Sequence, residues 1–190
     1  MSWQATSDSA RTVIAEGLTR LGLIESPAAT YDCGAAQPCP QVSLYYMHGL
    51  GHGIGLEVHD PEQFYFTGKI AAGSAFSIEP GIYVRGNLLD IITSSARNDA
   101  LKAKIGATFR KYANIGVRIE DNYVVTERGL EWISCALPRE ASEIEALMRE
   151  PARGPGPRDA TKIEWYRAED NASGGTAAAP VALAPNCIKM

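Results

Sequence analysis

The chain has no excess of positive charge: 18 Lys and Arg stand against 22 Asp and Glu in 190 residues, a net charge of −4. No basic stripe or Lys/Arg block offsets that balance, which argues against nucleic acid as a partner. Long apolar runs are also missing, so no bilayer-spanning segment is expected. The opening Met1-Ser2-Trp3-Gln4 lacks the basic segment and apolar core of a signal peptide. That leaves a cytoplasmic setting as the default and a secreted or periplasmic parent protein open. Cysteine is scarce, with four in all. Cys33 and Cys39 lie close together in a Gly/Pro-rich loop, and Cys135 and Cys187 lie far away. The close pair could join in an oxidising compartment or stay as free thiols in a cytosolic one. No second close pair follows, which excludes a zinc knuckle. There is no internal repeat.

What is present is ordinary globular composition, 45% hydrophobic and 21% charged, enough for one domain with a real core. Val13, Ile14, Leu18 and Leu21 fall at helical spacing and predict a helix from about Ser7 to Leu23, capped by Ser7 or Asp8. Ser43 to Asp60 holds four glycines (Gly49, Gly51, Gly53 and Gly55), which disfavour helix. It reads as a strand or extended segment whose backbone approaches something closely. Ala75 to Val84 alternates like a strand, interrupted by Pro80-Gly81. Leu88 to Ala113 reads as a helical excursion with Leu101, Ile105 and Phe109 on one face, and Gly116 to Thr126 returns to strand. A short strand near Trp132-Ile133 and a helix from about Glu140 to Arg149 follow. These elements place one domain over residues 1–150, followed by a Pro/Gly/Ala-rich mobile tail over residues 151–190.

Three segments carry chemistry: Met47 to Asp60, Phe76 to Tyr83, and Gly116 to Tyr123. All three histidines of the chain, His48, His52 and His59, fall in the first. Glu79 and Glu120 each follow an isoleucine within a predicted strand. Strand alternation sets Phe76 and Ile78 opposite Ser77 and Glu79, so one face is polar. Carboxylates inside strands need neutralising, and imidazole with carboxylate suits Zn, Mn, Co or Fe. Each element alone has a plainer reading. A lone His is more often structural, Glu79 could be solvated, and Arg118 beside Glu120 could be a surface ion pair. A helical His-x-x-x-His zinc site fails, because Gly49 stands where a glutamate is needed and glycines disfavour helix.

Taken together, the motifs His48-Gly49-Leu50-Gly51-His52, His59-Asp60, Glu79-Pro80-Gly81 and Arg118-Ile119-Glu120-Asp121 closely resemble the pita-bread metallopeptidases: methionine aminopeptidases, prolidases and Xaa-Pro aminopeptidases. The resemblance covers roughly Ser9 to Glu150 and is nearest to the Xaa-Pro aminopeptidases. It implies an α+β fold, the C-terminal half of a pita-bread domain, with a curved antiparallel sheet and helices on its outer face. It implies metal ligands His52, Glu79 and Glu120, catalytic roles for His59, Glu79 and His48, and substrate contacts from His48, His59 and Arg118. Two divalent ions, Mn first and Co or Zn otherwise, serve the complete family site. The implied substrate is a peptide with proline in second position.

The family's two Asp ligands have no counterpart. Asp8 and Asp32 are the only aspartates before the His-rich segment, one at an expected helix start and one in a loop. Three side-chain ligands suffice for one weakly bound ion at most. The chain therefore reads as a C-terminal portion of the catalytic domain. Its expected partners are an N-terminal half or a second copy, since a half-sheet leaves an unpaired edge and an uncovered apolar face.

Overall fold

The computed structural model describes residues 2–61 and 63–149. The expected tail, residues 151–190, lies outside them, as does Cys187. The chain divides into two units, the first running to Cys135 and the second starting at Ala136.

Helix α1 spans Trp3–Leu21 and begins earlier than its apolar spacing indicates. Ser2 caps it, accepting the Ala5 N–H on its hydroxyl, and Gly22 closes it in the left-handed conformation. Tertiary contacts hold its first turn. The Trp3 N–H donates to the Gly68 carbonyl, and the Trp3 ring stacks on Phe64 at 4.4 Å. Strands β1 (Thr30–Tyr31) and β2 (Cys39–Pro40) form a short antiparallel pair, and a Cys33–Cys39 disulfide closes the loop between them. A 3-10 turn, Gln41–Leu44, then replaces the start of the expected extended segment. Helix α2 (Gln63–Thr67) precedes β3 (Ala75–Ile78) and β4 (Gly81–Val84).

The predicted helical excursion is two helices, α3 (Leu88–Ile91) and α4 (Ala96–Tyr112). The break between them ends at Ser95, whose hydroxyl caps α4 by accepting the Asn98 N–H. Asn98 is fully buried: its amide donates to the carbonyls of Asp32 and Thr93, and its Oδ1 accepts from the Asp32 N–H. Leu101, Ile105 and Phe109 are buried on one face as expected. Each contributes about 1.5–3 kcal/mol by leaving water.

Strands β5 (Ile115–Arg118), β6 (Asp121–Thr126) and β7 (Gly129–Trp132) complete the first unit. β3 pairs with β6 and β6 with β7, while β4 pairs with β5, all antiparallel. The core gathers Ile14, Ala15 and Leu18 of α1, the buried face of α4, and Val84, with Ile82 packed against it. The helices therefore cover the Ile82/Val84 side of β4. Beyond them, Ile115, Val117 and Ile119 stay 50%, 57% and 45% exposed, an apolar row of the kind expected on an uncovered sheet. In the second unit, α5 (Ala141–Arg149) follows the predicted helix closely and has no buried residue.

Candidate metal centre

The pairing places the two glutamates. Ile78 pairs with Asp121, and Gly81 pairs with Arg118. A single register thus runs through the gap between the two strand pairs, setting Glu79 opposite Glu120 and Pro80 opposite Ile119. The Ile119 N–H donates to the Pro80 carbonyl at 3.3 Å across that gap. Neither glutamate sits in the middle of a strand, as the sequence led us to expect; both lie at the break. Pro80 has no N–H with which to continue the ladder, so the interruption falls where both strands must accommodate it. Strand alternation puts Glu79, Gly81, Arg118 and Glu120 on the face away from the helices.

The glycine-rich segment lies against β3. The Ser77 N–H donates to the His52 carbonyl, the Ile54 N–H to that of Ala75, and the Glu79 N–H to that of Leu50, at 2.7–2.9 Å. A Gly53–Phe76 bridge has the same register. The segment is extended, as expected, with its backbone pressed closely on its neighbour. A Cβ on Gly51 would overlap the Ser77 carbonyl oxygen.

This contact brings His52 to Glu79. His52 Nε2 lies 3.2 Å from Glu79 Oε1, and Arg118 Nη1 lies 3.7 Å from Glu79 Oε2. His52 and Glu79 side chains are 18% and 12% exposed, so the pair is largely withdrawn from water. His52 Nδ1 is 2.9 Å from the Gly53 carbonyl oxygen, an acceptor only, so Nδ1 carries the proton. A neutral His52 then turns a bare Nε2 lone pair toward a carboxylate. That contact repels unless a proton or a metal cation lies between the two atoms. An imidazole held through its far nitrogen by a backbone carbonyl is the usual support of a metal ligand.

His59 is exposed and meets the His52 ring edge-on at 4.6 Å. A Gly53–Asp60 bridge closes the loop that carries it, and Asp60 Oδ1 accepts the Glu57 N–H. His48 lies between the rings of Tyr46 and Tyr83, 5.3 and 5.5 Å away. Its Nδ1 is 2.7 Å from the Gly49 carbonyl oxygen, and its buried Nε2 has no hydrogen-bond partner among the described residues. A cleft of about 170 Å3 runs between α1 and the His48–Gly51 segment, with Trp3, Asp8, Arg11 and Tyr46 on its walls.

Of the expected ligands, His52 and Glu79 meet, while Glu120 is exposed opposite them. Among the described residues no group of three His, Cys, Asp or Glu side chains is close enough to hold a metal ion. The donors in contact fit a cation but supply only part of its shell. Arg118 pairs with Glu79, rather than with its neighbour Glu120 as the plainer reading had it. Neither early aspartate joins His52 and Glu79 in a group of donors. Asp8 lies inside α1, accepting from Gln4, and Asp32 is held by Ser95 and Arg97. Ser77 received no role from the sequence, although it shares the polar face with Glu79. It is fully buried, accepts the His52 N–H at 3.0 Å and donates to Glu79 Oε1 at 3.1 Å.

Comparison with known proteins identifies the family and the fold. The model of metallopeptidase family M24 matches residues 1–127. Xaa-Pro aminopeptidase 2 of Streptomyces coelicolor is 34% identical over 146 residues, which are 74% of this chain and 26% of that protein. The Xaa-Pro dipeptidase of Homo sapiens is 35% identical over 122 residues, 56% of this chain and 24% of that one. Among solved structures, Pseudomonas aeruginosa aminopeptidase PepP superposes with a TM-score of 0.52 at 31% identity, covering 77% of this chain and 29% of that one. The chain thus spans between 24% and 29% of the length of these relatives. The α+β architecture, an antiparallel sheet with helices on one side, is part of the pita-bread fold. With the family's model matched along most of the described residues, the chain belongs to metallopeptidase family M24.

Proposed function

We propose that this chain carries the His–Glu portion of a metal-dependent aminopeptidase site that releases the N-terminal residue from peptides with proline in second position. One observation carries the reading: His52, its Nδ1 proton committed to the Gly53 carbonyl, presents Nε2 to Glu79 Oε1 at 3.2 Å. His52 and Glu79 would hold one divalent ion, weakly, with Glu120 added from the facing strand. Mn is the first choice, and Co or Zn suit the same donors. A cation there would supply Lewis-acid activation of water and of the peptide carbonyl.

The chain's own residues do the rest. Glu79, buried and held at both oxygens, takes the proton of the attacking water and delivers it to the leaving proline nitrogen. Arg118 keeps Glu79 Oε2 in place. His59, exposed beside His52, stabilises the developing charge on the carbonyl oxygen. His48, on the wall of the cleft, lies beside the bound peptide. Full activity is proposed for a longer protein or an assembly in which further donors complete the site, consistent with relatives of which this chain matches only 26–29% of the length.

Calorimetric titration of the folded chain with Mn2+ and Co2+ tests the reading. One weak site, lost in Glu79→Gln and weakened in Glu120→Gln, is expected. A second reading, a module that binds peptide or protein without hydrolysis, draws on the absence of any three-donor group among the described residues. Titration with no heat of metal binding would favour it over the first.

A further inference from the structure

We infer that Ser77 is a positioning residue that fixes the distance and orientation of Glu79 relative to His52, a role that rests on the metal-site reading above. The argument begins with a missing backbone bond. Along the His52 segment and β3, the Ser77 N–H donates to the His52 carbonyl. The return bond of an antiparallel pair, from the His52 N–H to the Ser77 carbonyl, is not made. Gly51 sits on that carbonyl so tightly that a Cβ would overlap it. The His52 N–H turns instead to the Ser77 hydroxyl at 3.0 Å.

A hydroxyl that accepts from an amide still has its own proton to give. Ser77 directs it to Glu79 Oε1 at 3.1 Å, the same oxygen that faces His52 Nε2. The four groups close a ring: His52 amide, Ser77 hydroxyl, Glu79 carboxylate and His52 imidazole. The backbone of one donor residue is thereby tied to the side chain of the other. Ser77 is fully buried, so no water competes for either bond. The ring also selects which Glu79 oxygen faces the cation, because Arg118 takes the other. Threonine preserves this arrangement and alanine or valine cannot, which separates the hydroxyl from mere filling of space.

The test uses the full chain with Ser77→Ala and Ser77→Thr. Co2+ affinity by calorimetry should fall about tenfold in Ser77→Ala, the size typical of losing a group that orients a metal ligand, and stay near wild type in Ser77→Thr. A metal-free measurement runs beside it. Nuclear Overhauser contacts between the His52 ring and the Glu79 methylenes should persist in wild type and Ser77→Thr and disappear in Ser77→Ala. Should Ser77→Ala not fold, Ser77→Val against Ser77→Thr makes the same comparison between side chains of equal shape. Unchanged contacts and unchanged affinity without the hydroxyl would overturn the assignment, as would a folded Ser77→Thr no better than Ser77→Ala. If wild type binds no Co2+, the metal-site reading fails. The Overhauser contacts then still decide whether Ser77 sets the His52–Glu79 geometry.

Discussion

Gly51 rests on the carbonyl of Ser77, and that single contact decides where the His52 N–H goes. A side chain at residue 51 must push the glycine-rich segment off β3. Gly51→Ala is expected to destabilise the first unit by about 1–3 kcal/mol, the usual cost of forcing atoms into a filled space. Thermal unfolding checks the magnitude. Loss of divalent binding in the folded variant checks that His52 has moved.

Asn98 offers a second target. Its amide joins the Asp32 loop to the turn before α4 through three backbone partners. Asn98→Ala strands buried N–H and C=O groups, at about 1–3 kcal/mol for each group left unsatisfied. Chemical denaturation should show a loss of that order with an unchanged slope. Asn98→Asp restores the acceptor but not the donor, and should recover only part of it.

The Cys33–Cys39 bridge closes a short loop directly beside Asp32. Chain-entropy reasoning puts such a closure at about 2 kcal/mol. The Cys33→Ala, Cys39→Ala double variant should lose that much in oxidising buffer. Under reducing buffer, variant and parent should converge.

Alkaline pH should expose Tyr45. It is fully buried, its hydroxyl donates to the Leu23 carbonyl, and burial pushes its pKa well above the ordinary tyrosine value. The folded state then holds the phenol proton more tightly than the unfolded chain does. The resulting stability is present below about pH 10, the unperturbed tyrosine value, and is lost as pH rises toward the folded one. Tyr45→Phe should cost about 1 kcal/mol at neutral pH through the lost hydrogen bond, and should flatten the decline above pH 10. Denaturation midpoints across that range would reveal it.

How far the sequence discloses this molecule varies from one element to the next. The burial of Leu101, Ile105 and Phe109 was legible, because helical spacing reports directly on which face leaves water. The start of α1 was not. Its first turn is held by the stacking of Trp3 on Phe64, a contact between distant segments that no local pattern records. Pro80 announced the interruption after Glu79, but nothing local announced the matching one before Asp121, which its partner strand imposes. The polar face shared by Ser77 and Glu79 was readable from alternation. The two bonds of the Ser77 hydroxyl depend on Gly51 arriving from elsewhere in the chain, so they became visible only in three dimensions. His52 and Glu79 were named as ligands from their motifs, and the structure puts them in contact. Glu120 was named with them, and stands opposite rather than against them.

The unbroken register through the Glu79–Pro80 step makes the spacing of the two carboxylates independent of everything between β4 and β5. Residues 85–114, with both of their helices, can lengthen or shorten at an exposed turn and leave the glutamates facing each other. Deleting Ile119 alone would instead turn the acid that follows it to the opposite face of the sheet, away from Glu79. Exposed turns of the long connection can therefore be remodelled, but not its buried positions or the few residues around the break.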